Sequence, residues 1–289
     1  MLLGKYFDWK RDAVLTESDG CPFRKWTEEE SSRSPFAFHE RGFPVFLRPS
    51  LLAALDEYAG GDPYTVRRDM DSLFHCRRFE MTVKLVSHAC RGMTGRVRIL
   101  DLGCGEGHIT AAIQRRMRNA EVSGLDYSLS AICTAAESYP NIDFAVGDAF
   151  DPPYCGDYFD VVVCNNLWEH VPDPVGLAAA TRRVLKPRGF LVVSTPSRYR
   201  LGNLARALAG SPVGLMSKQH VTEYTVGQVI EQLQWAGFEV RRIEGSPLPR
   251  GSLRRALMSV ITSYIRLVRS HHRLASTVFY LAQRTAESP

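Results

Sequence analysis

From about residue 96 onward, short runs of β-branched and aromatic residues alternate with longer stretches of helical periodicity. Such alternation is satisfied by a parallel sheet whose strands are joined by crossover helices. The strand-like runs are Val97–Leu102, Glu121–Asp126, Ile142–Val146, Phe159–Cys164, Phe190–Thr195, Phe238–Glu244 and Thr277–Gln283. Punctuation supports the stretches between them. Asp173-Pro174 reads as an N-cap followed by proline at the first helical position, and Thr225-x-x-Gln228 as a capping box. Gly237 stands where a C-terminal glycine cap belongs, and Lys186-Pro187-Arg188-Gly189 reads as a turn feeding a strand.

The rest of the chain is organised differently. Residues 1–60 are rich in Pro, Gly, Ser and aromatics without sustained periodicity. They read as an irregular N-terminal arm ending in a short helix near 51–58 and contributing to a cap. Residues 63–91 read as a helix with Val66, Met70, Leu73, Phe74, Met81, Leu85 and Val86 on a rough apolar stripe. The main domain is expected over 61–289, with cap insertions at 196–224 and 246–275.

Composition narrows the class. Hydrophobic residues make up 45% and charged residues 23%, enough apolar material for a real core. No run approaches the length needed to span a bilayer, and the first residues carry no apolar leader. Seven cysteines are scattered with no Cys-x-x-Cys, against a disulfide scaffold and a zinc cage, so a reducing, cytoplasmic compartment is expected. The net charge of +5 is local: residues 241–273 hold eight arginines against the single acid Glu244. The remainder is slightly acidic, which argues against a nucleic-acid partner.

The most informative stretch is Arg98-Ile-Leu-Asp-Leu-Gly-Cys-Gly-Glu-Gly-His. A hydrophobic strand carrying Asp101 runs into Gly103-x-Gly105-x-Gly107, which opens a helix. Glycines suit a sharp turn where a ligand must approach backbone N–H groups without Cβ contact. The dinucleotide fingerprint would need glycine at 108, where this chain has His108, so a dehydrogenase is disfavoured. Two further acids follow at strand ends, Asp126 and Asp148, where carboxylates face the ligand crevice of a parallel sheet. Asp126 is placed to take both hydroxyls of a ribose, Asp148 an exocyclic amine of adenine.

These residues resemble the class I S-adenosylmethionine-dependent methyltransferases, in particular the branch that acts on small molecules. The resemblance covers about residues 95–245 and the last strand. It rests on Leu100–Gly107, Gly124–Asp126, Gly147–Ala149, Cys164–Asp173 and Leu185–Leu191. It implies a Rossmann-like α/β fold: a seven-stranded, mainly parallel sheet with an antiparallel last strand and a helical cap. It also implies S-adenosyl-L-methionine as cofactor. Gly103, Cys104, Gly105 and Gly107, with Asp101, would line its methionine portion. Asp126 with Tyr127 would hold the ribose, Asp148 with Ala149 the adenine, and Asn165 would lie beside the sulfonium.

The expected function is methyl transfer to a small, apolar or aromatic acceptor, most simply at oxygen, in secondary metabolism. The alternatives are a nucleic-acid methyltransferase, or a protein that binds the cofactor without transferring methyl. Asp151-Pro152-Pro153-Tyr154 matches a signature of nitrogen-directed methyltransferases, but it precedes the fourth strand and reads as a plain loop. Glu169 and His170 follow that strand, and His220 follows the fifth. An imidazole suits a hydroxyl acceptor as general base, against the alternative that each histidine packs and bonds locally. Arg77 and Arg78 are within range of a methionine carboxylate and read as surface residues. Adjacent Glu169 and His170 cannot share a helix face, and no spaced His/carboxylate set stands out, so no metal is expected. Residues 252–270 form an amphipathic pattern. Its apolar face could pack on its own domain, seam a homodimer, line an acceptor tunnel or make peripheral contact with a membrane.

Overall fold

The structure, a computed structural model, describes residues 37–39, 41–47, 73–246 and 274–286. Its centre is a single sheet. In chain order the strands are β1 (Ala37–Phe38), β2 (Pro44–Val45), β3 (Val97–Leu102), β4 (Ala120–Asp126), β5 (Asp143–Val146), β6 (Phe159–Asn165), β7 (Leu185–Pro196), β8 (Phe238–Gly245) and β9 (Thr277–Arg284). The helices are α1 (Leu73–Ala89), α2 (His108–Arg116), α3 (Leu129–Ser138), α4 (Pro174–Val184), α5 (Leu201–Leu208) and α6 (Val226–Trp235).

The strand order is β1-β2-β5-β4-β3-β6-β7-β9-β8. Strands β5, β4, β3, β6 and β7 are mutually parallel, and β9 runs antiparallel to both of its neighbours, as the resemblance implies. With β3 central, the chain winds outward first one way and then the other. That leaves a crevice at the carboxyl ends of β3 and β6, where the winding reverses.

Period-2 alternation builds both faces. Val97, Ile99, Val161, Val163 and Val192 pack on one side with Leu85, Val86 and Ile113. Leu100, Leu102, Val162, Cys164 and Leu191 pack on the other with Leu177, Ala178, Val229 and Leu233. Strands covered on both faces are therefore almost continuously apolar. The expected caps are present: Asp173 accepts from Gly176 N with Pro174 opening α4, and Thr225 and Gln228 bond reciprocally at α6. Gly237, after α6, has φ 79°.

Two elements differ from expectation. Strand β7 starts at Leu185 rather than Phe190, because Leu185 already pairs with Phe159; the Lys186–Gly189 turn, with Arg188 at φ 65°, lies inside it. Residues 37–47 of the arm form β1 and β2, and Val45 pairs in parallel with Val146 at the edge of β5. Phe43, Val45 and Leu47 are buried there against Leu129, Ile132 and Phe144. The helices expected at 51–58 and 252–270 lie outside the described residues.

Candidate active site

The glycine loop leaves β3 in a left-handed path. Gly103, Gly105 and Gly107 have φ of 75°, 52° and 76°, conformations that a Cβ disfavours. Gly103 N and Cys104 N donate to Leu125 O at 2.8 and 3.1 Å, tying the loop to β4. Gly107 stands at the N-cap of α2 and brings no capping side chain. A Cβ on Gly124 would lie 2.6 Å from the Phe144 ring and 2.8 Å from Cys104 Sγ, so β4 passes flush beneath the loop.

Asp101 is buried under this turn and accepts from the Thr110 hydroxyl at 2.7 Å. Burial, with Asp126 adding to it, pushes its carboxyl up to about 6 despite Thr110 and Arg78. Asp126 is buried rather than an exposed strand-end acid: Oδ2 accepts from Gly105 N at 2.8 Å and Oδ1 from Ser128 N at 2.9 Å. It is thus a structural member of the loop as well as a ligand candidate. Tyr127 follows it, half-buried. Asp148 is exposed and accepts from Phe150 N at 2.8 Å, with half-buried Ala149 between them. Phe150, with no periodic signal in the sequence, is exposed beside Asp148.

The end of β6 meets the cap. Asn165 is buried, its Oδ1 accepts from the Thr82 hydroxyl at 3.2 Å, and its Nδ2 has no hydrogen-bonded partner. Asn166, at φ 52°, accepts from Arg78 Nη1 at 3.3 Å and from Ser194 Oγ at 3.2 Å, and donates to Glu169 Oε1 at 2.8 Å. Arg78 therefore reaches the crevice rather than lying on the surface. Trp168, fully buried, donates to Gln232 Oε1 at 2.9 Å and anchors the turn against α6.

Glu169 is fully buried, and burial raises its carboxyl above the ordinary range. Its main-chain oxygen accepts from Val221 N at 2.8 Å and from Thr222 N at 3.3 Å, stitching the β6 turn to the cap segment. That contact brings the rings of His170 and His220 edge-to-face at 5.0 Å. Burial, and then proximity to His220, lowers His170 to about 4, so it is a poor general base at neutral pH. His220 Nδ1 lies 2.9 Å from Glu223 Oε1. Despite burial, the bonds from His220, Met216 N and Arg200 hold the Glu223 carboxyl below its ordinary range. An ionised acceptor there makes Nδ1 the donor and leaves Nε2 of His220 as the acceptor.

One ligand atom from each of Glu169, His170 and His220 lies within 4.8 Å of the others. A His/carboxylate set that does not stand out in the sequence thus comes together in space: residues 168–170 are a turn, not a helix, so the helix-face argument does not apply to them. Asp151–Tyr154 is a loop before β6 whose Pro152 and Tyr154 carbonyls accept from Arg183, with Tyr154 buried against Phe159. Over the crevice, the 197–224 segment exposes Tyr199, Val213, Leu215 and Val221 and encloses a cavity of about 310 Å³ lined by Tyr199, Asn203, Leu215 and Glu223. Among the described residues no helix is long and apolar enough to cross a membrane.

A methyltransferase-domain family matches residues 94–239. A probable S-adenosylmethionine-dependent methyltransferase of Mycolicibacterium smegmatis is 32% identical over 167 residues, covering 57% of this chain and 59% of the relative. The ubiquinone biosynthesis O-methyltransferase of Marinobacter nauticus is 31% identical over 160 residues, covering 51% of this chain and 66% of the relative. The chain thus spans between a half and two thirds of the length of these relatives. Among solved structures, the YcgJ protein of Bacillus subtilis superposes with a TM-score of 0.51 at 15% identity, covering 74% of this chain and 100% of that one, a likeness of fold.

Proposed function

Since the chain belongs to the methyltransferase-domain family, we propose that it transfers a methyl group from S-adenosyl-L-methionine to an oxygen of a small, apolar or aromatic acceptor, in secondary metabolism and in the cytoplasm. The observation that carries this reading is the convergence at one sheet edge of the left-handed glycine loop, two strand-end acids and the unpartnered Asn165 amide.

The chain's own residues fit the cofactor. Gly103, Gly105 and Gly107 all have left-handed φ, and a Cβ on Gly103 would lie 3.0 Å from Leu167 and one on Gly107 2.8 Å from Phe144, so glycine keeps the loop in this path. Together with Asp101 and Cys104 they would take the methionine portion. Both oxygens of Asp126 accept main-chain N–H bonds, and the carboxylate would also take the ribose hydroxyls, with Tyr127 alongside. Asp148 would take the adenine amine, with Ala149 and the exposed Phe150 ring at the base's flank. When bound, the sulfonium supplies an already activated methyl carbon, so the chain's work is alignment, exclusion of water and removal of the acceptor's proton.

Asn165, held by Thr82, fixes the floor beside the reacting carbon. The exposed apolar side chains of the 197–224 segment suit an apolar acceptor, and the oxygen acceptor named for the Marinobacter relative supports attack through oxygen. Glu169, His170 and His220 form a polar wall that would face the acceptor's hydroxyl. Incubating the protein and methyl-labelled S-adenosylmethionine with a small-molecule extract tests this. A labelled, organic-extractable product supports it. Label found only in nucleic acid, or tight cofactor binding with no labelled product, would overturn it.

A further inference from the structure

The oxygen Oε2 of Glu169 is the most anomalous atom of the cluster. Its residue is wholly buried, Asn166 engages only Oε1, and Oε2 makes no hydrogen bond of normal geometry, with the Thr195 hydroxyl beside the carboxyl likewise making none. A buried carboxylate oxygen left this way is costly, and folds keep such atoms where a ligand or ion completes them. Beside it stand two imidazoles from sequence positions fifty apart, whose ligand nitrogens and a Glu169 oxygen lie within 4.8 Å of one another. We propose that Glu169, His170 and His220 bind one divalent cation of the zinc class, with a coordination position open toward the acceptor.

The donor set selects the ion. Two imidazole nitrogens and one carboxylate oxygen are a three-ligand zinc set with a fourth position left for water or substrate. Magnesium and calcium prefer oxygen cages that this cluster does not supply. Ligand bonds of about 2.0–2.2 Å put neighbouring ligand atoms roughly 3–3.5 Å apart, so the cluster must draw in by about 1 Å. His170 lies on a turn, half-buried, with its ring bonded to the Gln219 main chain, and the closure falls to a shift of this turn toward Glu169.

The surroundings already orient the ligands. Glu223, held by Arg200 and Met216 N, takes the Nδ1 proton of His220 and leaves Nε2 as the ligating nitrogen. Asn166 fixes Glu169, and Val221 N and Thr222 N fasten the two segments. Such carboxylate–histidine pairs are the usual outer shell of a metal site. The role at the acceptor rests on the methyl-transfer reading above, while the binding of the cation does not. A hydroxyl at the open position would be acidified by the cation, lose its proton to bulk water and keep the electron pair on oxygen.

The test uses the full chain, stripped with chelator and dialysed, then titrated with Co²⁺ while the visible d–d absorption is followed. One Co²⁺ per chain is expected, without the ultraviolet thiolate band that cysteine ligation would give, and displaced by Zn²⁺. His220→Ala and Glu169→Gln should each weaken binding at least about tenfold; Glu223→Gln, acting through His220, should weaken it roughly 10–100-fold. If Glu169→Gln fails to fold by circular dichroism, His170→Ala carries the same prediction from the half-buried turn. A folded parent chain that takes up no stoichiometric Co²⁺, or folded ligand variants that bind it as tightly as the parent, would overturn the site. Calorimetry of S-adenosylmethionine on the stripped chain separates the two readings. Cofactor binding without Co²⁺ binding removes this inference alone, whereas Co²⁺ binding without cofactor binding removes the methyl-transfer reading and leaves the site standing.

Discussion

Asp126 joins the stability of the glycine loop to cofactor binding, and substituting it should damage both. Its two oxygens accept from Gly105 N and Ser128 N at 2.8 and 2.9 Å in a buried position. Asparagine keeps one acceptor oxygen and turns an NH₂ group toward the other N–H. One main-chain donor is then left unsatisfied, at a cost of about 1–3 kcal/mol. At about 2–4 °C per kcal/mol for a domain of this size, Asp126→Asn should melt about 2–12 °C below the parent. Asp126→Ala leaves both donors bare and should fall further. On the ligand side, loss of charge-assisted bonds of about 1.5–3 kcal/mol each should weaken S-adenosylmethionine binding at least about tenfold. Thermal melts with and without saturating cofactor, beside calorimetry, read both effects. The parent should gain several degrees from the cofactor and the variants much less, because a bound ligand stabilises by its mass action on the folded state. Variants that melt with the parent and gain as much from the cofactor would refute both the loop contacts and the ribose placement.

Asp101 gives a pH-dependent test. Its folded carboxyl is raised from 3.8 to about 6. The folded chain therefore binds more protons than the unfolded one between those values, and stability falls as pH rises through that window before levelling above about pH 6. Asp101→Asn should flatten that slope, worth on the order of 3 kcal/mol, in denaturant melts between pH 4 and 7. Gly124→Ala drives a methyl group into Phe144 and Cys104 and should destabilise by about 1–3 kcal/mol, read as a lower urea midpoint. Thr225→Ala removes one half of the capping box at α6 and should lower stability by about 1 kcal/mol in the same assay, without changing cofactor affinity.

The sheet was legible because its information is local. Val97–Leu102 is bounded identically in sequence and structure, and the other expected strands shift by one residue at most at either end, apart from β7. There, a turn signal at Lys186–Gly189 marks a kink within a paired strand rather than its start, and only the partner Phe159 discloses the earlier pairing. Strands β1 and β2 could not be read at all, since two residues each are too few to display a period of two. They exist because Val45 and its neighbours find Val146 and α3, a tertiary contact with no local signature.

The same distinction divides the site. Its cofactor side follows β3, β4 and β5 in order, so each ligand candidate announces itself at the end of a strand. Its acceptor side is assembled across distance: Glu169 and His170 come from the β6 turn, His220 and Glu223 from the cap, and Arg78 and Thr82 from α1. Considered alone, each of these residues reads as packing or surface. What joins them is a few main-chain bonds, chiefly Val221 N and Thr222 N to Glu169 O, that no side-chain pattern encodes. One consequence follows for the role of each histidine. The burial that brings His170 into the cluster also lowers it to about 4 and removes it as a general base, while Glu223 fixes the tautomer of His220. A His170 imidazole kept neutral beside a buried carboxylate is better suited to donating a lone pair than to accepting a proton in turnover.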